Sequence, residues 1–156
     1  MSILKSIFST TFLLFALVAF GACATTDTIG GNCSFSTLDP ATFDLNGTWT
    51  ISESTVTSDD PECFDMRTFT LEVNVSGNTI TAFSPDLNAS FSGEISGNQI
   101  KWTGSFPDGA GTSTVLCMEL TASSASSVSG TSSWEFVENG FECSGSSQIS
   151  GTKTSS

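Results

Sequence analysis

Phe69-Thr70-Leu71-Glu72-Val73-Asn74-Val75, followed at once by Ser76-Gly77-Asn78, is the stretch that decides the fold. Apolar side chains at 69, 71, 73 and 75 alternate with Thr70, Glu72 and Asn74. A two-residue period of this kind makes a strand with one buried and one wet face. The Gly-Asn step then supplies a tight hairpin turn. The same alternation returns at Ile100, Trp102, Gly104 and Phe106, and at Leu116, Met118 and Leu120. Ser-Gly-Asn recurs at 76–78 and 96–98, while Pro107-Asp108-Gly109 and Asn139-Gly140 mark further turns. A hairpin repeat accounts for the recurrence better than a ligand-binding motif does.

Working outward gives eight strands, near 47–56, 67–76, 78–83, 88–95, 99–106, 112–121, 127–137 and 141–153. No later segment has a helical period. Eight sequential antiparallel strands joined by short turns predict an all-β, up-and-down barrel over residues 46–154, which removes exposed sheet edges by closing on itself. A two-sheet β-sandwich is the alternative.

The chain ahead of the barrel reads as an export signal and a spacer. Residues 1–22 carry one cation, Lys5, then an apolar run from Ile7 to Phe20 and the small residues Gly21-Ala22 before Cys23. This is the pattern of a secretory signal peptide, and the run is too short for a comfortable membrane span. Phe20-Gly21-Ala22-Cys23 resembles a bacterial lipobox, with Phe20 where Leu is commoner. That resemblance implies lipidation of Cys23 and a membrane anchor, and Ala24 after it implies the outer membrane, facing the periplasm or the surface. Cleavage after Ala24, giving a soluble secreted protein, is the alternative. Residues 23–45, with Thr25-Thr26-Asp27-Thr28 and Gly30-Gly31-Asn32, read as a flexible linker, with Leu38 and Phe43 able to dock near its end.

Composition excludes several functions. The chain of 156 residues has no His and four cations against sixteen acids, a net charge of −12. Without imidazole there is no Ser-His-Asp or Cys-His mechanism, and no base is identifiable for any nucleophile, so no enzyme is expected. Nucleic acid is not a partner, because phosphate binding needs Lys and Arg. No cofactor is implied. The acidic run Asp59-Asp60-Pro61-Glu62, with nearby Asp65, matches no EF-hand spacing and reads first as a solubilising surface. A docking face for a cationic protein is the second reading of that exterior.

Five Cys stand at 23, 33, 63, 117 and 143. Removing Cys23 leaves an even four, which in an exported domain reads as two disulfides rather than a metal site, since no pair has metal-ligand spacing. In an up-and-down barrel the end of the first strand lies beside the start of the eighth, which places Cys63 near Cys143. Cys33 is left for Cys117, whose alternation with Leu116 and Met118 points it outward.

Asn46-Gly47-Thr48-Trp49 opens the first strand, and Gly-x-Trp at that place resembles the lipocalin and fatty-acid-binding (calycin) barrels. In that superfamily a basic residue late in the last strand packs across the Trp, and Lys153 occupies a matching place. The later lipocalin loop motifs and C-terminal helix have no counterpart. The resemblance implies a minimal lipocalin-like domain, of the sort found in uncharacterised bacterial lipoproteins.

The inward phase collects Trp49, Ile51, Phe69, Leu71, Val73, Ile80, Phe91, Ile95, Ile100, Trp102, Phe106, Leu116, Met118, Leu120, Trp134, Phe136 and Ile149. An eight-stranded barrel is either filled by such side chains or holds one small ligand. So many large rings favour filling, whereas Gly93, Gly104, Gly130 and Gly145 on the same phase would leave room. If a cavity exists, Trp49, Phe69, Phe91, Trp102, Phe106 and Trp134 are its candidate lining for a small apolar molecule. No Arg or Lys falls inward except Lys153, so a neutral or aromatic ligand fits better than a free fatty acid. Glu53 shares phase with Trp49 and Ile51 and belongs at the barrel mouth.

Overall fold

The computed structural model describes residues 33–61, 63 and 66–156. The expected signal (1–22), the Cys23 anchor and the start of the linker lie outside the described residues. Eight strands follow in order: β1 (Gly47–Ser58), β2 (Thr68–Ser76), β3 (Thr79–Ser84), β4 (Ala89–Ser96), β5 (Gln99–Asp108), β6 (Gly111–Ser124), β7 (Ser127–Glu138) and β8 (Phe141–Ser155). Each pairs antiparallel with its neighbour, and β1 pairs with β8, so the sheet is a closed up-and-down barrel rather than a sandwich.

Turn chemistry explains the meander. Asn139 and Gly140 both have positive φ (48° and 87°), as the favoured two-residue hairpin requires. The two Ser-Gly-Asn copies do the same structural job twice. Asn78 donates its side-chain amide to Ile95 O, and Ile95 N–H donates back to Asn78 O; Asn98 and Ala122 repeat the exchange. The recurrence therefore ties each hairpin to the strand beyond it.

One inward assignment needs correction. Val115 pairs with Trp134 and Cys117 with Ser133, leaving Leu116 as the extra residue of a β-bulge. The bulge resets the phase of β6, so Val115 is buried at 7% exposure and Leu116 is only half-buried. Cys117 still faces out and bonds Cys33, with Cα atoms 5.4 Å apart. Cys63 bonds Cys143, at 6.4 Å between Cα atoms. The Cys63–Cys143 pairing is the one that the strand order demands, and Cys33–Cys117 is the pair that it leaves.

The two ends of the barrel differ. Residues 33–45, expected as flexible linker, form a strap across the end that carries the β2–β3 and β4–β5 turns. Thr42 N–H donates to Gly97 O at 2.7 Å, Asp39 N–H to Ser96 Oγ at 2.9 Å and Phe35 N–H to Glu94 Oε2 at 2.9 Å. Phe43 packs against the core, whereas Leu38 stays 47% exposed. Leu45, at 1% exposure, ends the strap as a plug among Trp49, Ile80, Ile100 and Leu120. The opposite end carries residues 59–61, 63, 66 and 67 and the turns after β3, β5 and β7.

Candidate ligand-binding cavity

At this second end the barrel interior holds a cavity of about 210 Å³ that opens to solvent. β2 contributes Phe69, β4 Phe91, β5 Phe106, and β7 Trp134 and Phe136, while Val115 and Met118 of β6 complete the apolar wall. Polar groups gather at the mouth: Glu53 from β1, Arg67 just before β2, Asp108 at the end of β5, and Ser113 and Thr114 at the start of β6. Cys63 of the second disulfide also lines it. Met66, Val137 and Phe141 stand exposed around the same end.

Arg67 and Asp108 form an ion pair, Nη2 to Oδ2 at 2.5 Å, with side chains 21% and 27% exposed. The guanidinium lies over the Phe106 ring, 5.2 Å from its centroid. Ser113 Oγ donates a second hydrogen bond to Asp108 Oδ2 at 2.7 Å. Burial alone would raise the Asp108 carboxyl, but the bonds from Ser113 and Arg67 outweigh it and hold the group below its ordinary value. Asp108 is therefore ionised at neutral pH. Trp134 is anchored by its Nε1–H, which donates to Ser147 Oγ at 3.1 Å.

Of the six aromatic residues expected to line a cavity, Phe69, Phe91, Phe106 and Trp134 do so. Trp49 and Trp102 do not. They are 2% and 3% exposed in the closed half, where the residual void of about 10 Å³ holds at most one water. The choice between a filled and a hollow barrel thus resolves by height: packed under the strap, open at the other end. Phase alone reports which way a side chain points and says nothing of its depth along the axis.

The inward glycines act differently from expectation. A Cβ at Gly104 would collide with the Phe91 ring, at Gly145 with the Trp134 ring, at Gly93 with the β5 backbone at Lys101 and Trp102, and at Gly130 with the β6 backbone. Gly104 and Gly145 each seat an aromatic ring from the adjacent strand. They make space for rings against the wall, and the rings leave the axis of the open half free.

Arg67 also faces in, contrary to the expectation that Lys153 alone does so. Its signal was present, because Arg67 shares the odd-numbered phase of Phe69, Leu71 and Val73. Lys153 itself pairs in register with Trp49 and stands 5.8 Å from its ring centroid, as the resemblance implies. Its Nζ also donates to Asp44 O at 3.1 Å, and Trp49 Nε1–H donates to Leu45 O at 2.9 Å. This group locks the strap at the closed end, far from the cavity.

The acidic run after β1 has a structural use in its described part. Asp59 accepts from Ser144 N–H at 2.8 Å and from Ser144 Oγ at 3.0 Å, and these bonds hold its carboxyl below its ordinary value. They fasten the loop to β8 beside the Cys63–Cys143 bridge.

The closed eight-stranded barrel, the Trp49–Lys153 pair and the mouth at one end are compatible with a lipocalin-like fold. No family model matches the chain, nor does any curated protein or solved structure. The site therefore rests on its own geometry.

Proposed function

We propose that this chain is an exported, non-enzymatic, lipocalin-like binding protein that holds a small, mainly apolar ligand in the open half of its barrel. The observation that carries this reading is the cavity of about 210 Å³, walled by five aromatic rings and reachable from solvent. Ligand sites have this character: apolar walls with a few placed polar groups. An engineered cavity of about 150 Å³ already binds benzene, so a one-ring or two-ring molecule fits.

Export is supported by two disulfides, which persist in oxidising compartments. A lipid anchor at Cys23 on the bacterial outer membrane is the proposed location. Metabolic labelling with a lipid precursor, with Cys23→Ala as control, tests it; an unlabelled, soluble wild type refutes it. For binding, native mass spectrometry of protein purified from its own host is expected to show a non-covalent small-molecule adduct. The adduct should disappear on mild activation and be absent from an Phe91→Ala, Phe106→Ala double variant. A bare mass in every preparation, together with no uptake of added apolar probes, overturns the reading.

A further inference from the structure

We propose that the cavity selects small organic amines in their protonated, monocationic form over neutral and anionic molecules of the same shape. This deepens the binding reading above and rests on it.

Among the described residues, Glu53, Arg67 and Asp108 are the ionisable side chains that line the cavity, two carboxylates against one guanidinium. Cys63, the remaining titratable type there, is consumed in its disulfide. Arg67 is not poised as the anchor that a fatty acid requires. Its guanidinium is paired with Asp108 and lies over Phe106. An incoming carboxylate would have to compete with Asp108 for it and would add negative charge to a partly desolvated mouth. An ammonium instead offsets the excess of carboxylate over guanidinium among the described lining residues.

The walls favour the same sign. Phe, Tyr and Trp faces carry negative electrostatic potential, and a desolvated cation near them is stabilised. Phe69, Phe91, Trp134 and Phe136 present such rings beside the carboxylates. The field of the whole molecule points the same way. Lys101 and Lys153 both sit towards the closed end, on the third residue of β5 and the third from last of β8. Asp59, Asp60, Asp86, Glu138 and Glu142 lie on or beside the connections at the open end. A predominantly acidic open end on a chain of net charge −12 concentrates cations at its opening. Size then limits the ligand: about 210 Å³ is below the usual volume for drug-sized molecules, so one or two rings enter and any longer tail leaves through the mouth.

The test is isothermal titration at neutral pH with three matched probes: 3-phenylpropylamine, 3-phenylpropanol and 3-phenylpropanoate. The amine is expected to bind roughly tenfold tighter than the alcohol, and the carboxylate weakest. Glu53→Gln should bring the affinities of amine and alcohol to within about threefold of each other. A wild-type control needs no variant: raising salt from about 20 mM to about 500 mM should shrink the amine's advantage and spare the alcohol. Equal affinity for amine and alcohol, or tightest binding of the carboxylate, overturns the proposal while leaving an apolar binding site standing. Binding of none of the three refutes the binding reading itself, and this inference with it.

Discussion

Leu45 is where the two halves of the barrel become different, and Leu45→Ala measures that difference. The side chain is 1% exposed and sits among Trp49, Ile51, Val73 and Ile100, with a residual void of only about 10 Å³ nearby. Truncation removes three buried carbons, a transfer loss of about 2.4 kcal/mol. The cavity left behind adds to this, because the sheet backbone around it is held on both sides and cannot collapse; Leu→Ala substitutions in such sites cost about 2.7–5.0 kcal/mol. The expected loss is about 3 kcal/mol, read by urea denaturation followed through tryptophan fluorescence with the disulfides intact. For a barrel of this length that corresponds to a fall of roughly 10 °C in Tm. Leu38→Ala is the internal control: same residue type, same strap, but 47% exposed, with an expected change within about 0.5 kcal/mol. A loss below about 1 kcal/mol for Leu45→Ala, or equal losses for the two, refutes the plugged end.

Gly104→Ala places a methyl against the Phe91 ring and should push that ring towards the axis, costing about 1–3 kcal/mol and weakening uptake of apolar probes; unchanged stability and binding would show that the wall is not packed as described. Non-reducing peptide mapping should recover Cys33–Cys117 and Cys63–Cys143 peptides, and Cys63→Ser with Cys143→Ser should cost about 2–5 kcal/mol; a Cys63–Cys117 peptide contradicts the strand order. Asp59 and Asp108 have folded-state pKa values below their unfolded ones, so their stabilisation is complete above the unfolded carboxylate range and is lost as pH falls through the folded values. Chemical denaturation across acid pH should therefore show stability falling below about pH 4, and less steeply in Asp108→Asn, whereas a slope unaltered by that change argues against the Arg67–Ser113–Asp108 network.

Strand number, order and the Cys63–Cys143 pairing were legible because they follow from period-two alternation, turn residues and the direction of successive strands, and Cys33–Cys117 then remained by elimination. The Trp49–Lys153 contact was legible for the same reason, since closure of the barrel brings the last strand beside the first. What alternation cannot report is a change of phase within a strand. The bulge at Leu116 depends on pairing with two neighbours at once, and nothing local in Val115-Leu116-Cys117 announces it. Depth along the axis was equally hidden: Trp102 and Phe106 share a strand and a phase, yet one is packed under the strap and the other lines the cavity. The Cys33–Cys117 pairing already ties the start of the strap to the wall, but its path across the barrel end escaped because the remaining anchors are single hydrogen bonds and one plug residue, without any period. Arg67 escaped for a different reason. Its phase was readable, but a charge at the edge of a strand is ordinarily assigned to solvent, and only the structure reveals the Asp108 and Phe106 contacts that draw it over the mouth.

The three Trp residues make the central claim directly measurable, because two lie in the packed half and one borders the cavity. A nitrogen–proton correlation spectrum of the 15N-labelled, disulfide-bonded protein resolves one indole N–H signal for each. On titration with an apolar one-ring probe such as toluene, the Trp134 signal is expected to shift progressively and saturate, while those of Trp49 and Trp102 stay in place. Movement of Trp49 or Trp102 with Trp134 unchanged, or no movement at all at saturating probe, contradicts a ligand site in the open half of the barrel.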